Sequence, residues 1–558
     1  MAPGRLSAST RTTRVKKGRG RVQPTRTNKA EPKVEERAGV RKASPIKADA
    51  LAHSKTPNHI DKRKRSELED PEADNTTATN KVKRAKTSPI PPAKHQARGR
   101  PTKPKTQLSQ QSILLPIINQ VPDQTLALFV FGGGENGELG LGPKRTEALR
   151  PCLNPSLDPN SSTAYHIVEY ACGGMHTVAL SADNKIVTWG VNDNDALGRD
   201  TQWDGGLRDV DADSDDEDEE LNPLESTPTE IPAEHFPSGT RFAQVAAGDS
   251  CSFALTDTGL VYGWGTFRNS QGTDCFGYDD KRNVIVKQPR PLQIQGIPKI
   301  TQIACGANHA LALDMKGDIW AWGYNEQNQF GRRLFGRQSD SFVPSQVRVC
   351  RNNAKYIASG EYHSFAVDNN DNVWGWGANS FGQAGDAHTA GGDSAVLLSP
   401  TKIHNLCQKG VVILDGGAHH SAAVTAQGQC LVWGRIDAGQ LGVAFTPDSV
   451  QDTAVIRCDD RGKPRICLHP TAVPNIGQVT HVACGTDHTI FIDKTGSAHS
   501  TGFGFQGQLG LASNDDVVVA QRITAKSVKD RILTRAGAGG NVSIIAGPTK
   551  NGSAALRD

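Results

Sequence analysis

From residue 123 to 558 the chain alternates apolar and polar residues in short runs separated by Gly, Asn, Asp and Lys, the pattern of strands joined by turns. The runs come in pairs. The first of each pair opens on Gly-x-x-His-[Ser/Thr] or a variant, with its fourth position at His176, Cys251, His309, His363, His420, His488 and Val542. The second closes on an aromatic-Gly pair or a variant, at Phe131-Gly132, Trp189-Gly190, Trp264-Gly265, Trp322-Gly323, Trp376-Gly377, Trp433-Gly434 and Thr501-Gly502, with Leu-Gly or a variant seven residues on. The offset from His176 to Gly190 repeats unchanged from Cys251 to Gly265, His309 to Gly323, His363 to Gly377, His420 to Gly434 and His488 to Gly502. Turn residues such as Asp257-Thr258-Gly259 lie between, so the fixed unit is a β-hairpin. The interval between copies varies, shortest from His309 to His363 and from His488 to Val542 and longest from His176 to Cys251, and the connection between hairpins takes up the difference. Seven such units predict an all-β, seven-bladed propeller. Gly132 lacks a preceding His-type strand and Val542 lacks a following aromatic-Gly strand. If these two halves pair, the N- and C-terminal strands close the ring and no sheet edge is left open.

Charge divides the chain. Residues 1–122 hold 28 of the 63 basic and 10 of the 59 acidic residues, leaving 35 and 49 for 123–558. The net formal charge of +4 is therefore a +18 arm on a −14 body. No Trp, Tyr or Phe occurs within 1–110, so 1–122 is expected to be a disordered basic arm. Lys62-Arg63-Lys64-Arg65 and Lys81-Val82-Lys83-Arg84, with 66–80 as the spacer, resemble a bipartite nuclear-import signal that importin would read. Arg98-Gly99-Arg100-Pro101 has the form of a minor-groove Arg-Gly-Arg hook, and the arm as a whole suits DNA phosphates. Ser44-Pro45 and Ser88-Pro89 have the form of proline-directed phosphorylation sites. No run of about 18 apolar residues exists, so no membrane association is expected. The 11 Cys form no Cys-x-x-Cys pair, which disfavours a disulfide scaffold or zinc ribbon.

Together the two repeated motifs resemble the regulator of chromosome condensation family over essentially all of 123–558, in the form of a fungal-like member with an extended basic arm. The resemblance implies a guanine-nucleotide exchange factor for the small GTPase Ran. It would work on chromatin by docking on nucleosomes, in the nucleus, with no cofactor and no covalent chemistry.

Hairpin geometry selects the working face. The x-x pair precedes one strand and the loop after aromatic-Gly follows its antiparallel partner, so both crown the same end of the ring. The pairs are Gly174-Met175, Asp249-Ser250, Ala307-Asn308, Glu361-Tyr362, Ala418-His419, Thr486-Asp487 and Gly540-Asn541. Asp249, Asn308, His419 and Glu135 match positions at which the family meets Ran, and Glu361 joins them as an acidic member of its pair. Asn308 stands where relatives often carry Asp, which puts a carboxylate role there in doubt. After Trp264-Gly265 the Leu-Gly element is lost, and Gly272-Thr273 stand in its place. By resemblance this loop, Phe267, Arg268, Asn269, Ser270, Gln271 and Gly272, is the wedge that enters the GTPase.

Other features read as structural. Gly132-Gly133-Gly134-Glu135-Asn136-Gly137 matches a dinucleotide motif, but no helical pattern follows it. The five recurrent histidines are expected to make hydrogen bonds within their blades, and the five Trp before Gly to pack between blades. An acidic insertion at about 205–225, including Asp215-Asp216-Glu217-Asp218-Glu219-Glu220, reads as a solvated loop that could meet histones or mask the arm. Cys458 and Cys467 lie in another long connection, and two Cys nine apart without His partners do not make a metal site. The competing reading is a scaffold of the same superfamily that binds another protein and exchanges nothing.

Overall fold

The computed structural model describes residues 116–205, 220–279, 281–332, 341–350, 353–392 and 395–549. The two basic clusters, Arg98, Arg100 and most of the acidic insertion lie outside the described residues. The rest forms seven antiparallel sheets arranged as blades and two two-stranded ribbons. Blade 1 combines Leu126–Gly133 and Glu147–Leu153 with Arg535–Ala538 and Val542–Pro548. Gly132 pairs with Val542 in the register by which His176 pairs with Gly190, so the predicted closure of the ring by both chain ends is present. Blades 2 to 7 begin with the inner strands Ile167–Cys172, Phe242–Ala247, Ile300–Cys305, Ala354–Ser359, Val411–Gly416 and Val479–Cys484. The strands next outward, His176–Ser181 through His488–Asp493, are covered on both faces by the adjoining blades and are buried almost throughout.

The recurrent residues connect blades. In five of seven junctions a histidine Nε2 meets the Ser or Thr hydroxyl of the next blade: His176–Ser252, His363–Ser421, His420–Thr489 and His488–Ser543 at 2.8 Å, and His309–Ser364 at 2.9 Å. Each hydroxyl donates onward to a carbonyl in the loop of the histidine's own blade, as Ser364 does to Gln329 at 2.9 Å. A hydroxyl has one proton to give, so the imidazole is assigned as the donor from Nε2, and burial, which lowers all five rings, keeps it neutral. The expectation of bonds within a blade is thus corrected: strand twist aims the ring across the junction, where a donor, a relay and an acceptor can line up. Trp264, Trp376 and Trp433 donate from Nε1 to the same carbonyls, those of Ala196, Gln329 and Gln383, at 2.6–2.9 Å. The Trp rings pack between blades, as expected.

The motif glycines follow from this contact. A Cβ on Gly306 would come within 2.2 Å of the His309 ring, and Gly323 adopts a φ of +111° against the backbone of Asn308. The arm also ends earlier than residue 122. Asn119 is buried, and its side chain donates to the carbonyls of Thr256 (2.8 Å) and Ile300 (3.0 Å), at the ends of blades 3 and 4 away from the x-x pairs.

Burial lowers the five imidazoles from 6.5 to about 4 for His176 and His488 and about 3 for His309, His363 and His420. The unfolded chain therefore binds protons first. Their stabilisation is complete above pH 6.5 and is lost as pH falls toward 4, by up to about 1.4 kcal/mol per pH unit for each ring. Carboxyls raised by burial act in the opposite sense, but only Glu361 and Asp415 rise as far as about 7, and His419 and His481, each lowered to about 4, add to the five latch rings. The thermal midpoint should fall steeply between pH 6.5 and 4.5. His363→Gln should flatten that dependence, and a midpoint flat across this range would contradict the neutral latch.

Candidate functional site

The seven x-x pairs form a closed ring at one mouth of the central channel. Backbone N–H groups donate from Gly174 to Gly248, Asp249 to Ala307, Ala307 to Glu361, Glu361 to Gly417, Ala418 to Thr486, Thr486 to Gly539 and Gly540 to Gly174, at 2.9–3.3 Å. Every post-glycine loop is tied to the second member of its pair, as in Thr266 N–H to Ser250 and Arg435 N–H to His419, at 2.8–3.1 Å. Both loop sets therefore share one face, as the hairpin geometry requires.

The ring places the first member of each pair at the channel mouth, so Asp249 and Glu361 converge there with Thr486. Glu361 Oε1 accepts from the Thr486 hydroxyl at 2.7 Å. Burial pushes Glu361 up to about 7, with Asp249 and Asp487 adding to the rise. Burial also raises Asp249, opposed by Arg268. The channel behind them encloses about 510 Å³. Of the second members, Met175 and Tyr362 also line the channel, while Asn308 and His419 serve the loops. Asn308 Oδ1 accepts from the Arg268 backbone N–H at 3.0 Å, so this residue holds the wedge by a bond that needs no charge. His419 lies against Phe381, with centroids 4.7 Å apart. Glu135 sits separately on the exposed loop of blade 1, where its charge adds to the burial that raises Glu138.

The wedge is a β-ribbon. Phe267 pairs with Cys275 and Arg268 with Asp274, and a second ribbon pairs Gly277–Tyr278 with Val284–Ile285. Asn269 Oδ1 closes the tip by accepting from the N–H groups of Gln271 (3.0 Å) and Thr273 (2.7 Å). Phe267 is fully buried among Phe253, Phe276 and Phe342, so it roots the ribbon and does not offer a contact surface. The projecting part is Arg268 to Gly272, and Arg268 is ion-paired to Asp274 at 2.9 Å. Blade 4 clamps the ribbon further: Tyr324 donates to the Thr273 carbonyl at 2.9 Å, and Glu326 accepts from the Ser270 N–H at 3.0 Å and hydroxyl at 3.2 Å. Sequence reasoning missed Glu326. The signal was available, since Glu326 stands three residues after Gly323 as Glu135 does after Gly132.

The lost Leu-Gly element has a measurable consequence. Trp322 Nε1 is buried with no acceptor, whereas Trp376 Nε1 reaches the Gln329 carbonyl at 2.6 Å. Gly132–Gly137 forms a strand-end turn with no helix after it. Among the described residues no group of three or more His, Cys, Asp or Glu is placed to hold a metal ion, and no helix is long and apolar enough to cross a membrane.

Fold and site together define a seven-bladed propeller with an acidic channel mouth and a β-ribbon projecting from blade 3. An RCC1-like domain model matches residues 127–545, and the chain belongs to that family. It is 38% identical over 437 residues to the guanine nucleotide exchange factor SRM1 of Saccharomyces cerevisiae, covering 76% of this chain and 88% of that one. The crystal structure of Prp20p from Saccharomyces cerevisiae, described with its binding to Gsp1p and histones, superposes with a TM-score of 0.69 at 34% identity, covering 79% of this chain and 98% of that chain. The structure of Kap60 bound to yeast RCC1 (Prp20) gives a TM-score of 0.69 at 33% identity, covering 82% and 98%.

Trp322→Phe should cost about 1 kcal/mol less stability than Trp376→Phe, because only the latter removes a buried hydrogen bond. Equal losses in thermal midpoint would contradict the orphaned indole.

Proposed function

We propose that this protein is the guanine-nucleotide exchange factor for Ran, acting at chromatin in the nucleus. The observation that carries the proposal is a β-ribbon held in place before any partner arrives, projecting beside a carboxylate-lined channel mouth on the face that also holds His419. Support comes from the family, from the relative named an exchange factor and from the relative described with Gsp1p and histones. No covalent step is needed. The face binds nucleotide-free GTPase more tightly than the loaded form, so factor and nucleotide weaken each other's binding. The ribbon tip, Asn269 to Gly272, enters beside the phosphate-cradling loop and its Mg²⁺, and its clamps spare the complex the entropy of ordering it. Asp249 and Glu361 meet basic side chains, and the −14 body speeds encounter with a basic surface. The factor does not distinguish GDP from GTP, so an excess of GTP sets the direction of exchange.

The arm has the separate task of address. Lys62-Arg63-Lys64-Arg65 and Lys81-Val82-Lys83-Arg84 engage importin, a role in keeping with the Kap60 complex of the yeast relative. Arg98, Arg100 and the remaining basic residues contact DNA phosphates while the propeller meets histones.

Release of labelled GDP from Ran tests the assignment. Asp249→Ala, His419→Ala and replacement of Asn269–Gly272 by a short Gly linker should each slow release roughly 10- to 100-fold. Rates unchanged in all three would remove the face from the mechanism.

A further inference from the structure

Blade 6 carries a connection that the exchange mechanism leaves unused. It comprises a short helix, Pro447–Gln451, a strand, Ile456–Cys458, and a long strand, Pro464–Ala472, which make this blade five-stranded. Two observations direct it to the working face. First, it grips the loop of blade 5. Arg457 donates to the carbonyls of Ala387 (3.2 Å) and Ala390, while Ile466 and Leu468 bury against Ala390 beside Phe381 and Ala387. Second, its Arg465 guanidinium lies 4.9 Å from the centre of the Phe381 ring, and Arg435 lies 5.5 Å from the same centre. Phe381 in turn meets His419 at 4.7 Å with the rings inclined by 65°. The insertion thus ends in a stack running from Arg465 through Phe381 to His419.

His419 is unlike the latch histidines. Those spend Nε2 on the next blade, whereas neither ring nitrogen of His419 makes a hydrogen bond within the described residues, and its Nδ1 is buried. We propose that the extra strand of blade 6 is a positioning element, in which Arg465, through Phe381, fixes the His419 ring as a neutral hydrogen-bonding group for the GTPase. This rests on the reading that His419 belongs to the exchange face. The charged groups around His419 agree with it. Burial is the main cause that lowers the imidazole to about 4, Arg435 and Arg465 lower it further, and Asp437 opposes them. Arg435 is itself paired with Asp437 at 2.5 Å and Asp487 at 3.3 Å, so Arg465 is the cation whose charge is not spent on a carboxylate bridge. A cation over an aromatic face also resists sliding, which holds Phe381 and hence the ring it supports.

The full-length protein is compared with Arg465→Gln, Arg465→Lys, His419→Ala and the double variant Arg465→Gln/His419→Ala, with Ran loaded with labelled GDP. Arg465→Gln should cut kcat/KM roughly fivefold with the thermal midpoint little changed, and Arg465→Lys should recover most of the loss. The double variant should be no slower than His419→Ala alone, because both changes act on one ring. In spectra of protein with labelled histidine, the His419 resonance should titrate at higher pH in Arg465→Gln while the five latch histidines do not move. If His419→Ala slows release but Arg465→Gln changes neither the rate nor the His419 titration, the positioning role is overturned and the exchange face stands. If His419→Ala itself has no effect on release, the exchange-face reading of His419 fails and takes the positioning role with it.

Discussion

A neutral imidazole that donates across a blade junction is the interaction on which the rest of the molecule depends. A propeller blade buries its middle strands on both faces, so junctions are apolar and bury their few polar atoms at high cost. The His–hydroxyl–carbonyl relay satisfies three such atoms at once and sets the angular position of one blade against the next. The glycine that opens the motif is then a steric requirement of the ring, and the glycine after Trp lets the chain turn back over it. Where Trp264, Trp376 and Trp433 stand, the same loop carbonyl also receives an indole, so two donors from one blade converge on one acceptor of its neighbour.

The junction between blades 3 and 4 departs from every part of this scheme. Cys251 replaces the histidine, Ala310 replaces the hydroxyl residue, the Leu-Gly turn is gone and the Trp322 indole has no acceptor. This is the junction from which the ribbon springs. A turn folded down to supply a carbonyl cannot also project from the face, so the two uses of the loop exclude each other. What replaces the relay is an aromatic cluster around Phe267, which is non-directional and tolerates a ribbon rooted in its midst. Breaking a repeat's own rule at one place, with compensation nearby, is the expected mark of function on a repetitive scaffold.

The constant offset between the His and Gly positions made the hairpin, the blade count, the closure by Gly132 and Val542 and the shared end of the two loop sets legible in the sequence, because all of them follow from strand period and antiparallel pairing. Direction across a junction was not legible. The histidines were visible, but the twist that aims them at the next blade is a property of the assembled ring. The projecting ribbon was marked by the loss of Leu-Gly, while its internal division into a buried root at Phe267 and an exposed tip was hidden, since burial of an aromatic depends on partners as distant in sequence as Phe342. The Arg465–Phe381–His419 contact was missed for the same reason: it joins residues from different blades, and no spacing within one repeat encodes it.

The ring of backbone hydrogen bonds around the mouth explains how carboxylates can stand together on this face. Asp249 and Glu361 repel each other, and in a flexible loop they would move apart. Here the Asp249 N–H, the Glu361 N–H and the Glu361 carbonyl are links in a closed chain of seven bonds, so neither residue can retreat without opening the ring. The cost appears as the upward shift of both carboxyls, caused mainly by burial and, for Glu361, added to by Asp249 and Asp487, and a cationic side chain entering the mouth would relieve it. Buried carboxyls held in place by a bonded backbone are a form of preorganisation: the scaffold bears their desolvation during folding, and a cationic group gains the relief on binding. The five latches keep that scaffold rigid, so the charge of the mouth and the projection of the ribbon rest on the same neutral histidines.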